Sequence, residues 1–235
     1  LHSSFFAGSG APAGSVSDGC RRHDQSGRFL NMARIEPFEE HSQQYEDWFV
    51  EYRQVYESEL AALREVIPEG ARGVEIGVGS GVFAGPLGIK EGVEPSHAMA
   101  ERARRRGIEV REGVAESLPL EDSTYDFALM VTTICFVDDL EASVDEMARV
   151  LVPEGRIIFG FVDRDSPLGE IYQQYKDQDP FYRHATFYSA AEALDILEKH
   201  GFEPERTVQT VFGTLDQTHT KFRVFSLLQA NGADA

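Results

Sequence analysis

Cysteine is scarce in this chain: Cys20 and Cys135 are the only two in 235 residues. Two such distant cysteines build no disulfide framework, and a reducing, cytoplasmic setting is expected. No Cys/His spacing resembles a zinc site, so no metal is expected. No apolar run approaches the roughly 20 residues needed to span a bilayer. The first residues also lack a basic stretch followed by an apolar core, so no signal peptide is expected there. Basic residues are few, 22 against 40 acidic ones, for a net charge of -18. Such a surface repels phosphate backbones and anionic lipid, which argues against nucleic-acid partners and membrane insertion. The one dense basic cluster, Arg102, Arg104, Arg105 and Arg106, reads as the solvated end of a helix.

What is present fits one α/β domain with a full core. Residues 1–33 are rich in Ser, Gly and Ala and show no helical or strand period, so a flexible tail is expected. Residue 1 is Leu, and Met32 is a plausible natural start. The domain is expected over 34–235, with a helical cap at 34–68 and a lid-like insert at 163–188. From Glu36 to Ile67 aromatic residues recur at helical spacing, and Pro68 and Gly70 end the pattern. Strands are then predicted at Val74–Ile76, Lys90–Val93, Ile108–Arg111, Phe127–Val131 and Arg156–Val162. Helices are predicted between them at Pro95–Arg106 and Leu140–Val150, with a short one after Gly81. This alternation predicts a mostly parallel sheet with helices on both faces. After a helix at Ala190–His200, the runs Thr207–Phe212 and Phe222–Leu228 can pair antiparallel without a crossover.

The most informative stretch is Glu75-Ile76-Gly77-Val78-Gly79-Ser80-Gly81. Glycine permits backbone angles that other residues avoid and lets a ligand approach the main chain. A strand turning through glycines into a helix makes a nucleotide-type pocket at the carboxyl edge of a sheet. Glu75 at the floor of the turn suits a cationic or hydroxyl-rich ligand and repels a pyrophosphate. Further on stand Gly92-Val93-Glu94-Pro95-Ser96, Gly113-Val114-Ala115-Glu116-Ser117-Leu118-Pro119-Leu120, Tyr125-Asp126-Phe127 and Glu146 to Arg156.

In their order and spacing, from about Phe38 to about Leu228, these motifs resemble class I S-adenosylmethionine-dependent methyltransferases, especially the branch similar to ubiquinone/menaquinone biosynthesis enzymes. The resemblance implies a Rossmann-like fold: a seven-stranded, mostly parallel sheet with a C-terminal antiparallel pair. It implies S-adenosyl-L-methionine as cofactor. Gly77, Gly79 and Gly81 would wrap its methionine part, and Glu75, often Asp in the family, would act near its ammonium group. Glu94 would hold the ribose diol, with Pro95, Ser96 and Met99 beside it. Ala115 and Glu116 would cover the adenine, Thr132 would lie beneath the sulfonium, and Tyr45 would face the methionine end. The family usually has Gly where this chain has Glu154.

Two other readings are weighed. Gly79-x-Gly81-x-x-Ala84 also fits the dinucleotide fingerprint of a dehydrogenase, but its acid should stand about 20 residues on. Glu94 follows Gly79 by 15. A non-catalytic, cofactor-binding regulatory protein would retain the fold without turnover, but no motif position here is badly broken. The acceptor is expected to be a small apolar or aromatic molecule, met by Phe38, His41, Tyr45 and Trp48 and by Tyr172, Tyr175, Phe181, Tyr182, His184 and Phe187. His184, Tyr182 and Tyr45 are the candidates for a catalytic group.

Overall fold

The computed structural model describes residues 32–210 and 222–229; residues 1–31 of the expected tail, with Cys20, lie outside them, and its last two residues, 32 and 33, already belong to a helix. Three helices open the chain: α1 (Met32–Glu40), α2 (Ser42–Glu51) and α3 (Arg53–Arg64). The sequence pattern alone reads as one continuous helix, which at 1.5 Å per residue would be about 48 Å long. The breaks fall at His41 and Tyr52, neither of which has helical backbone angles. They fold the segment back, so that Phe38, Tyr45 and Phe49 form one aromatic cluster.

Next come β1 (Gly73–Ile76), α4 (Ala84–Leu87), β2 (Glu91–Val93), α5 (His97–Arg105), β3 (Glu109–Arg111), β4 (Tyr125–Val131) and α6 (Leu140–Val150). The chain ends with β5 (Leu151–Val162), α7 (Pro167–Tyr175), α8 (Ala190–Lys199), β6 (Phe202–Gln209) and β7 (Phe222–Gln229). The strands form one sheet in the order β3-β2-β1-β4-β5-β7-β6. Only β7 runs against its neighbours. From β1 the chain steps outward through β2 to β3, then returns to the other side of β1 with β4 and β5. The order therefore reverses between β1 and β4, and the crevice at their carboxyl ends is where open α/β sheets bind ligands.

Each face of the sheet carries its own core. On one, Leu140, Val144 and Met147 of α6 and Ala193 and Leu197 of α8 pack against Ile76, Met130 and Phe159. On the other, Leu60 and Leu63 of α3 and Ala100 and Ala103 of α5 pack against Leu129, Ile158 and Val224. The helix starts match the sequence: Ser96, Asp139 and Ser166 each accept a backbone amide one turn on, and Ser189 with Glu192 forms a capping box.

Two strands depart from expectation. β6 begins at Phe202 rather than Thr207, because residues 203–207 are exposed and carry no apolar signal. As an edge strand it tolerates Pro204, beside which its register with β7 shifts. The expected end of this strand at Val211 and Phe212 lies outside the described residues. β5 begins at Leu151, directly after α6, and its register with β4 shifts before Arg156. Glu154 takes φ +63° there, the left-handed conformation that explains why glycine suits the position.

Candidate functional site

A cavity of about 220 Å³ lies over the crevice, walled by the N-terminal helices, the carboxyl ends of β1, β2, β4 and β5, and the segment after β5. At its floor Gly77 and Gly79 have φ of +68° and +54°. A Cβ on Gly77 would stand 2.4 Å from Thr133 Cγ2, so the turn requires glycine there. A Cβ on Gly79 would meet only Met99 Cε and Tyr45 Oη, both at 3.5 Å; it would project into the cavity itself. Thr132, just past β4, sits at φ +53°, a strained conformation for a β-branched residue.

Glu94 is buried at the end of β2 and lines the cavity. Its Oε2 accepts the Gly79 amide at 2.8 Å and its Oε1 the Ser96 amide at 2.9 Å, so β2 and the glycine turn are tied together through this carboxylate. Burial pushes its pKa up to about 7. Glu75 lies deeper, almost fully buried under the turn. The Ala84 amide is its backbone partner, while its Oε2 has no partner among the described residues. Desolvation pushes this carboxyl well above its usual range. Glu116 also lines the cavity and accepts the backbone amides of Asp138 and Asp139 at 2.6 and 3.1 Å, fixing the approach to α6.

Of the residues singled out in the sequence, Tyr45, Gly77, Gly79, Glu94, Pro95, Met99, Ala115, Glu116, Thr132 and Tyr182 share this cavity. Glu75, Gly81 and Ser96 do not line it. Glu75 lies beneath the turn, Gly81 packs against α5, and Ser96 caps that helix. His184 is exposed and stands outside the cavity lining, as do His41, Tyr175 and Phe187. The reason is the turn before it: Asp179 Oδ1 accepts the amides of Phe181 and Tyr182, which places those two rings in the cavity wall and leaves His184 beyond them. The arginine cluster is more than a solvated end. Arg106 donates to the Ser80 carbonyl at 2.8 Å and to Glu46 of α2 at 2.9 Å, fastening the N-terminal helices to the glycine turn.

The sequence reading missed Glu59. It stands on the buried stripe of α3 beside Leu60 and Leu63, is 6% exposed, and lines the cavity. A charged residue at a core position of a helical pattern was the available signal. Burial pushes its pKa to about 8. The unfolded chain ionises Glu59 and Glu94 near 4.5, whereas the folded protein holds their protons to about 8 and about 7. Between those limits the folded state binds more protons, so stability falls as pH rises, by up to about 1.4 kcal/mol per pH unit and group. The unliganded protein should melt at a higher temperature at pH 5 than at pH 8. Glu59→Gln should shrink that difference, and an unchanged difference would refute the assignment.

Among the described residues no cluster of three or more His, Cys, Asp or Glu could hold a metal, and no helix is long and apolar enough to cross a membrane. The family profile of the methyltransferase domain matches residues 74–159, which span the glycine turn, Glu94 and the end of β4. A solved S-adenosylmethionine-dependent methyltransferase of Thermotoga maritima, described as a possible histamine N-methyltransferase, is 46% identical. It superposes with a TM-score of 0.77, over 83% of this chain and 99% of that one.

The chain belongs to the S-adenosylmethionine-dependent methyltransferases.

A protein of Methanocaldococcus jannaschii without assigned function is 42% identical over 180 residues, 77% of this methyltransferase and 87% of its relative. A malonyl-[acyl-carrier protein] O-methyltransferase of Methylococcus capsulatus is 28% identical, over 64% of this chain and 58% of that one. The Thermotoga and Methylococcus relatives carry different acceptor descriptions. The residues present fit S-adenosylmethionine: a glycine face open to the cavity, a fixed buried carboxylate beside it, and a buried carboxyl oxygen without a partner beneath it. The dehydrogenase reading falls with this membership.

Proposed function

We propose that this methyltransferase methylates a small, largely apolar or aromatic molecule held between the N-terminal helices and the segment after β5. One observation carries the reading. The cavity is continuous from the glycine turn and Glu94 to a wall of Phe38, Trp48, Tyr172, Phe181 and Tyr182. On this reading Glu94 takes the ribose diol, Gly77 and Gly79 lie against the methionine part, and Ala115 and Glu116 flank the adenine. When bound, the cofactor supplies a methyl group already activated by a sulfonium. The chain's own task is then to orient the acceptor and exclude water. The rings of Tyr45 and Phe38 pack edge to face, and Phe38 meets Phe136 and Phe181, so the wall is apolar and preformed. The Thermotoga relative's description, a possible histamine N-methyltransferase, supports an acceptor of this size. Charge of -18 argues against nucleic acid, and the buried free thiol of Cys135 suits a cytoplasmic protein.

The test is formation of S-adenosylhomocysteine with a panel of aromatic and aliphatic amines, alcohols and thiols, beside RNA and whole-protein substrates. Turnover is expected with members of the small-molecule panel. Turnover confined to RNA or protein would overturn the reading.

A further inference from the structure

Glu59 is not among the residues that the family resemblance gives to the cofactor, and it enters the cavity from another element, α3. Glu94, Ala115 and Glu116 come from the segments after β2 and β3, whereas Glu59 comes from α3. Burial apart, the Glu59 carboxylate is the foremost charge acting on the Tyr172 phenol of α7 and a lesser one for Tyr45 of α2, behind Glu75, Glu94 and Glu46. It lines one cavity with Tyr45 of the N-terminal helices and with Tyr172, Phe181 and Tyr182 of the segment after β5. Among the described residues no side chain hydrogen-bonds or ion-pairs with it. The one basic residue in the cavity wall, Arg34, is engaged by Asp138 at 3.4 Å and by the Val137 carbonyl. A carboxyl buried in an aromatic wall without a partner is costly unless something arrives to meet it. Aromatic faces and a carboxylate together favour one kind of visitor, a cationic nitrogen on an apolar body.

Resting on the small-molecule reading above, we propose that Glu59 is the polar anchor of the acceptor site and selects small apolar or aromatic amines. The ammonium group meets the carboxylate, while the rings of Trp48, Tyr172, Phe181 and Tyr182 enclose the carbon body. The facing phenols Tyr45 and Tyr172 are both held above the ordinary phenol range by burial, so they stay neutral where Glu59 titrates. Glu94, which shares the cavity, is tied to the Gly79 and Ser96 amides. Burial holds the Glu59 proton to about pH 8; below that, taking up an ammonium ion releases the proton, and affinity rises with pH.

Trp48 is the chain's only tryptophan and lies in the cavity wall, so its fluorescence reports acceptor binding without turnover. The full chain saturated with S-adenosylhomocysteine is titrated with 2-phenylethylamine and with 2-phenylethanol, which differ only in the terminal group. At pH 8 the amine should bind at least about ten-fold more tightly, as a charge-assisted contact implies. Its affinity should fall by up to about ten-fold per pH unit below that, and the alcohol's should stay level. Glu59→Gln should bring the two ligands within about two-fold while its affinity for S-adenosylhomocysteine, measured by calorimetry, stays within about two-fold. Equal binding of amine and alcohol by the natural chain overturns the proposal and leaves the small-molecule reading standing. So does a Glu59→Gln protein that keeps the amine preference. Loss of S-adenosylhomocysteine affinity in that variant would assign Glu59 to the donor instead. If neither compound binds although S-adenosylhomocysteine does, this inference fails, and the small-molecule reading rests on the turnover panel.

Discussion

Replacing Glu94 by alanine is expected to weaken S-adenosylhomocysteine binding by about ten- to one-hundred-fold, because hydrogen bonds to a charged group contribute roughly 1.5–3 kcal/mol. The structure gives the side chain two tasks. Its oxygens are held in place by the amides of Gly79 and Ser96, and their remaining lone pairs face the cavity, where a ribose diol can donate to them. Alanine removes the ligand contact and also releases the Gly79 amide from its partner. Glu94→Gln separates these effects, since its carbonyl oxygen can still accept one of the amides. Titration supplies a second signature. With the carboxyl pKa raised to about 7, protonation at lower pH removes acceptor capacity, so the natural chain should lose affinity as pH drops from 8 to 5.5. The Gln variant should be nearly flat over that range. Calorimetry across pH reads both; unchanged affinity in the alanine variant would refute the assignment.

Gly79→Ala should lose cofactor affinity by about ten-fold or more while the protein still folds. Its Cβ would meet no atom closer than 3.5 Å, so the protein itself accommodates it. The methyl would instead occupy the space through which a ligand reaches the main chain, and overpacking of that kind costs about 1–3 kcal/mol. Backbone strain is a competing explanation, since Gly79 has φ +54° and an L-residue there costs about 1–2 kcal/mol. Gly70 supplies the control. It has φ +73°, and a Cβ there would meet nothing within 4 Å. Gly70→Ala should therefore show a comparable fall in melting temperature with unchanged binding. Equal affinity loss in both variants would mean that strain, rather than occupancy of the site, was measured.

The parallel half of the sheet was legible because its strands are short apolar runs between glycine or proline signals, and the burial of β1 and β4 bears this out. The donor side was legible for a related reason: residues 75–81 and 94–96 are contiguous, and each motif carries its chemistry within a few positions. What was hidden depended on distant parts of the chain. β6 is polar because it lies at an edge: beyond Phe202 it is held by its pairing with β7 and by ion pairs of Glu205 and Arg206 with Arg156 and Glu65. The divisions at His41 and Tyr52 follow from what the helices must cover, and helical periodicity continues across both. On the acceptor side, Tyr182 and His184 are two residues apart, yet the turn capped by Asp179 sends one inward and leaves the other outside. Glu59 and Tyr172 come to line one cavity from positions more than half the domain apart, and spacing within one helix gives no hint of that.

The same organisation explains why family membership identifies the donor before the acceptor. The glycine turn, Glu94 and the Ala115–Glu116 loop all stand on the β1, β2 and β4 side of the crevice. The aromatic wall is assembled from α1, α2 and the segment after β5, with Val55 and Glu59 of α3 beside it, and the ends of that segment are pinned by Asp163. That residue accepts the Asp165 and Ala190 amides and pairs with Arg223 of β7 at 2.7 Å. Changes in those elements can alter the proposed acceptor pocket while the sheet and its glycine turn stay as they are.

The most direct test of the account is a crystal structure of the full chain with S-adenosylhomocysteine. Glu94 should lie within hydrogen-bonding distance of both ribose hydroxyls, with the sulfur turned toward the space bounded by Tyr45, Glu59, Tyr172 and Phe181. A ribose held away from Glu94, or a sulfur facing the β3 side of the sheet, would contradict it.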